Sequence, residues 1–125
     1  MATTNTATTN IKIQKTVTAT AVAIARGARL LLNTNGLVSV AGLTICGDYV
    51  ALQDIAASGT GLAAPIGSGG SVPVLASENC TVGAAAYSAA SGKTSKTSTN
   101  AVLIGKWLQA PSADTLGVVE LGYVA

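Results

Sequence analysis

Gly92-Lys93-Thr94 is the step in this sequence that comes nearest to a chemical motif. It has the ending of a phosphate-binding loop, in which backbone amides cradle phosphate and the lysine reaches it. That motif needs a second glycine five residues upstream, and the position holds Tyr87. A dinucleotide fingerprint fails in the same way. Gly59-x-Gly61 is followed by Ala64, and Gly67-x-Gly69 by Val72, where glycine is required. Both stretches are turn chemistry rather than nucleotide sites.

The remaining reactive groups are sparse. There is no histidine, so the commonest general base and metal ligand is missing. Two cysteines without histidine cannot complete a four-ligand zinc site. Cys46 and Cys80, 34 residues apart, are read as reduced, inert thiols; a nucleophilic role would need a base that is not supplied. The five acids, Asp48, Asp54, Glu78, Asp114 and Glu120, form no close pair of motif spacing. A two-carboxylate hydrolase remains an arrangement that folding alone could assemble. Trp107, the single tryptophan, sits among Leu103, Ile104 and Leu108 and reads as core. The expectation is no enzyme, no cofactor, no metal and no catalytic residue.

The elements that position these groups read as short strands. Ile11, Ile13 and Val17 alternate with Lys12, Gln14 and Thr16, the period of a half-buried strand. The alternation runs on from Thr18 to Ala25, with Val22 and Ile24 on one face. Leu30-Leu31-Leu32 and Leu37 to Ala41 flank Asn35-Gly36, a type I′ hairpin signal. Further strands are expected within 47–55, 71–75, 102–108 and 116–124, with Pro73 marking an edge. Ser91 to Asn100 reads as a polar turn or exposed hairpin. The Ala-rich stretches 51–58 and 83–90 leave room for one short helix. No repeat with a period of 20–50 residues is evident. The fold class is mainly β, a small β-barrel or sandwich-like domain with an extended N-terminal arm. Residues 1–17 are the arm and 18–125 the β domain.

Composition narrows the function. Of 125 residues only 10% are charged, against roughly 25% in an ordinary soluble domain. So few charges fit a component of a large assembly whose surface is covered by other chains. No apolar run is long enough to span a bilayer, and no signal peptide is visible at the start. Lys12, Lys15, Arg26 and Arg29 make every charge before Asp48 positive. That asymmetry fits an arm meeting an acidic surface, or equally lysines that guard an edge strand. No aromatic-plus-basic interleaving indicates nucleic acid.

Between Gly42 and Leu121 the chain runs through Gly47-Asp48-Tyr49-Val50, Gly69-Gly70-Ser71-Val72-Pro73-Val74, Val82 to Tyr87, the Ser91-Gly92-Lys93 turn, Val102 to Ala110, and the closing Gly117 to Leu121. In that order of elements it resembles the head decoration, or cement, proteins of tailed phages. The resemblance implies a homotrimer on the outer capsid surface that bridges major capsid protein subunits and stabilises the head. Ile11, Lys12, Ile13, Lys15 and Val17 are the expected capsid-binding residues, since a basic, alternating segment suits strand addition to a partner. The alternatives are a tail or head-fibre structural module and, behind it, a small hydrolase.

Overall fold

Short runs of β-branched and small residues, each broken within a few positions by a turn-forming residue, dictate short strands. The computed structural model describes residues 9–121 apart from Lys12 and Ala110. Its strands are β1 (Asn10–Ile11), β2 (Lys15–Thr18), β3 (Arg29–Leu32), β4 (Val38–Val40), β5 (Tyr49–Ala51), β6 (Thr60–Pro65), β7 (Gly70–Leu75), β8 (Ala85–Ser88), β9 (Thr94–Ser95), β10 (Leu103–Gln109) and β11 (Leu116–Leu121). Single 3₁₀ turns lie at Ile66–Ser68 and Ala90–Gly92. The fold is mainly β, as expected. Every strand pair named in the two sheets is antiparallel, in the orders β2-β6-β5-β3-β4 and β1-β7-β11-β10-β8-β9.

With β1 set aside, the two sheets have one topology. In each, the strands stand in the order first, fifth, fourth, second, third. Each sheet rolls until the residue after its first strand forms a parallel bridge to its third, Ala19 to Val38 and Ala76 to Thr94. Registers recur 56 positions apart, as Arg29↔Val50 and Ala85↔Lys106, or Ala51↔Ala63 and Trp107↔Val119. Loop bonds recur too: Gly27 N–H donates to Ala51 O and Gly83 N–H to Trp107 O, both at 2.8 Å. Gly27 and Gly83 both adopt φ of 87°, and Ser58 and Asp114 adopt 59° and 62°. Only β2 and β7 are offset by one residue more, as Val17↔Gly61 matches Val74↔Gly117. The chain from Lys15 to Leu121 is therefore two copies of one five-strand unit.

Each unit has an apolar centre. Val17, Ala19, Ile24, Ala28, Leu30, Val38, Ala51, Ile55 and Ala63 fill the first. Trp107, Val74, Ala86, Val119 and neighbours fill the second, and Val50, Ala64 and Ile66 of the first unit join them. β5 thus has both faces covered: Ala51 points into its own unit and Val50 into the joint between units. No described helix is long and apolar enough to cross a membrane.

Several local expectations are corrected. The segment 11–17 is not one strand, because β1 pairs with β7 and β2 with β6, in different sheets. No strand runs from 20 to 25; Val22 is 66% exposed and Ile24 is buried, on opposite sides of an irregular crossing. The β3–β4 hairpin forms, but Asn35 keeps negative φ and only Gly36, at 85°, is left-handed. Gly36 N–H bonds Asn33 O and Asn33 N–H bonds Leu37 O, so the turn is a three-residue loop with a glycine bulge. The Ala-rich stretch 83–90 holds strand β8 at Ala85–Ser88 rather than a helix. Thr94 and Ser95, expected in an exposed turn, are buried.

Candidate functional site

The first candidate surface is the N-terminal segment. Lys15 and Ile13 are exposed, Ile13 by 48%. Thr16, exposed and opposite the exposed Leu62 in register, lies on the other face of β2 from Lys15, whose register partner is the buried Ala63; β2 is an edge strand, so both faces reach the surface. Ile11 is half-buried and packs against the second unit's core. Val17 is 8% exposed and belongs to the first unit's core, so it is not available as a contact. Lys12 lies outside the described residues. The alternation rule placed Ile11, Ile13 and Val17 on one face; the change of sheet at 12–14 separates them.

The second is the joint between the units, and sequence reasoning missed it. Arg29 was counted among surface charges, yet its side chain is wholly buried. Its guanidinium meets backbone carbonyls instead of a carboxylate. Nε donates to Lys93 O at 2.9 Å, one terminal nitrogen to Cys46 O at 3.0 Å and to Ile45 O, and the other to Ala89 O at 2.6 Å and Gly42 O at 3.1 Å, with Ala41 O at the 3.5 Å limit. The acceptors come from the β4–β5 loop of the first unit and the β8–β9 turn of the second. Arg29 therefore staples the two together. Burial pushes its pKa down to about 10, still well above neutrality.

Gly92, which opens the phosphate-loop-like step, is explained here. Its φ is 73°, and a Cβ would lie 2.5 Å from Val40 Cγ1 and 3.1 Å from Arg29 O. Its counterpart in the first unit is Gly36, the hairpin glycine. Glycine at 92 closes a turn against a neighbour; no phosphate is needed to account for it. Lys93 carries its carbonyl to Arg29 and its ammonium to Asp114 at 2.6 Å. Ser88 Oγ, in the same joint, donates to Leu43 O and accepts from Val102 N.

The groups that a hydrolase would use are occupied separately. Asp48 accepts from the Leu32 amide, Asp54 from the Arg26 amide, and Glu78 from the Lys96 amide and the Thr97 hydroxyl. Glu120 stands opposite Lys106 in the β10–β11 register. Among the described residues no three of His, Cys, Asp or Glu gather as a metal site. Two shallow hollows flank Ile24, one lined by Ala23, Ala25, Asp54, Ile55 and Ala56, the other by Thr20, Val22, Ser39 and Val40. They hold one carboxylate between them. Cys46 and Cys80 are free thiols. Burial raises both, Cys80 to about 11 with Glu78 adding to the effect, which disfavours the nucleophilic thiolate at neutral pH.

Trp107 is fully buried and donates its indole N–H to Ser95 O at 3.2 Å. Beside it, Thr94 Oγ1 is buried without a partner. Thr94→Val should leave stability unchanged or raise it by up to ~1 kcal/mol, since it deletes an unsatisfied hydroxyl while keeping shape. Thermal unfolding measures this; a clear loss would mean that a buried water serves the hydroxyl.

No family model matches the chain, and no curated protein matches it in sequence. A solved structure does. The fold resembles a phage head-fibre base. The match is to the N base of head fibre gp8.5 of bacteriophage phi29, with TM-score 0.69 and 15% sequence identity over 88% of this chain and 95% of that one. At that identity the likeness is one of fold.

Proposed function

We propose that this chain is a structural protein of a phage head, seated on the outer capsid surface as the base module of a projection. The likeness to the gp8.5 base carries the reading, because it spans nearly the whole of both chains. The chemistry agrees. Carboxylates engaged in separate loops, protonated buried thiols and a joint stapled by a buried cation make a rigid body rather than a reaction centre. The decoration reading shares this location; in it the protein bridges major capsid subunits as a homotrimer. The exposed first-unit edge about β2, with Ile13, Lys15, Thr16 and Leu62, is the proposed contact with the shell, with Lys12 beside it in sequence. Lysines there suit an acidic capsid surface.

The purified chain should co-sediment with DNA-filled heads and not with isolated tails. Ile13→Asp with Lys15→Glu should reduce head binding at least tenfold, about 1.4 kcal/mol or more, while leaving thermal unfolding unchanged. Truncation is informative only before residue 10, since removing β2 would strip Val17 from the core. Binding to tails alone would refute the reading. Undiminished binding of the double variant would refute the contact edge and leave the head location standing. Electron microscopy of decorated heads separates a spike base from a clamp lying across subunit boundaries.

A further inference from the structure

We infer that the two outer faces of the molecule are latent copies of its internal joint, held shut against a second copy of this chain by charge. Any two like units joined head to tail leave one free face of each kind. Here the repeat identifies those faces residue by residue. Val50 and Ala64 lie in the core cluster that spans the joint, and Val40 touches the second unit's turn at Gly92. On the outer face of the second unit their counterparts are Lys106, Glu120 and Lys96. From the other side, Val72 and Ile104 belong to the same buried cluster, and their counterparts on the first unit are Lys15 and Asp48.

These five positions are charged where the joint is apolar, in a chain with only twelve charges; at Cys46 and Leu52, which also pack against that cluster, the counterparts Val102 and Leu108 stay apolar. Stacking a second copy as the units are stacked would set β10 of one on β2 of the next, because β5 contacts β7 inside the chain. Lys106, with Glu120 opposite it in register, would approach Lys15, and charges that lose water on stacking without full pairing are strongly unfavourable. Terminal units of stacked-repeat proteins carry polar outer faces for the same reason. The inference goes beyond the head-structural reading and does not depend on it.

The test restores the joint residues outside. Lys15→Val, Lys96→Val, Lys106→Val and Glu120→Ala are combined in the full chain, leaving Asp48 because it holds the Leu32 amide. Sedimentation velocity should show the mass rising with concentration to at least twice that of the wild type. The same number of apolar substitutions is not needed as a control; Thr81→Val with Ser112→Val, at exposed positions outside the joint pattern, should leave the mass at the wild-type value. Two half-variants, one carrying Lys15→Val and the other the three second-unit changes, should associate less than the combined variant. Buried Trp107 fluorescence verifies that each variant is folded. If the combined variant stays at the wild-type mass while folded, or if the control associates equally, the inference fails. If the combined variant does not fold, the half-variants decide: no added association in a folded mixture of the two also overturns it. Head binding by the wild type is measured separately, so loss of that reading leaves this result interpretable.

Discussion

Replacing Arg29 with methionine is expected to destabilise the protein by about 3–5 kcal/mol, a large part of the stability of a small domain. Removing the guanidinium leaves the carbonyls of Ala41, Ile45, Cys46 and Ala89 without that donor, while Lys93 O keeps the Ala89 amide and Gly42 O the Ile45 amide. Each buried carbonyl left unpaired costs on the order of 1–3 kcal/mol. Relief of the desolvated charge offsets part of that. Arg29→Lys should fall between wild type and methionine, because an ammonium has three donors on one atom and cannot span a fork of acceptors on two loops. Urea unfolding followed through Trp107, the single tryptophan, measures both. A methionine variant within about 1 kcal/mol of wild type would mean that water or loop movement satisfies those carbonyls. The titration of Arg29 gives a further sign. Its folded pKa lies below the ordinary guanidinium range, so its burial penalty is constant below about 10 and is relieved as pH rises above that. Across neutral pH the effect of the substitution should therefore be flat.

Gly105→Ala is expected to be as damaging, through sterics alone. A Cβ at Gly105 would lie 2.0 Å from Glu120 O and 2.9 Å from Val119 Cγ1. The obstacle is partner-strand backbone, which cannot rotate away as a side chain can. β10 and β11 would have to part beside Trp107, at a cost of roughly 3 kcal/mol or more. Gly67→Ala is the matched control. A Cβ there meets nothing within 4 Å, so the change should stay within about 0.5 kcal/mol of wild type. Equal melting of the two alanine variants would show that the strand pair gives way more readily than its register implies.

Local pattern made much of this legible. The leucine runs about Asn35-Gly36 marked the β3–β4 hairpin, and the segments 102–108 and 116–124 marked the last strand pair. Pro73 was read as an edge residue; it lies in β7 beyond Gly70 and Ser71, the two positions that β1 covers. The duplication was hidden for a physical reason. At the 56-residue spacing few residues are shared: three glycine pairs, Gly27 and Gly83, Gly36 and Gly92, Gly61 and Gly117, and a scatter of others such as Ala28 and Ala84 or Leu52 and Leu108. The side chains between them diverged, because a fully covered Trp107 and an Ala51 can occupy the same register in differently filled interiors. Arg29 was misread because nothing near it in sequence announces six carbonyls; its acceptors arrive from up to 64 residues away. The contact region was only partly legible: alternation put Ile13 on the buried face with Ile11 and Val17, and the change of sheet between β1 and β2 leaves Ile13 exposed and Val17 in the core.

The Arg29 staple also orders events during synthesis. As the nascent polypeptide emerges, the first unit can gather all five of its strands once Pro65 is available. Yet it still carries a cation whose last acceptors, Ala89 and Lys93, have not left the ribosome. Until they do, the guanidinium has only its first-unit acceptors, Ala41, Gly42, Ile45 and Cys46. The later turn therefore completes the bonding of a residue that belongs to the earlier half.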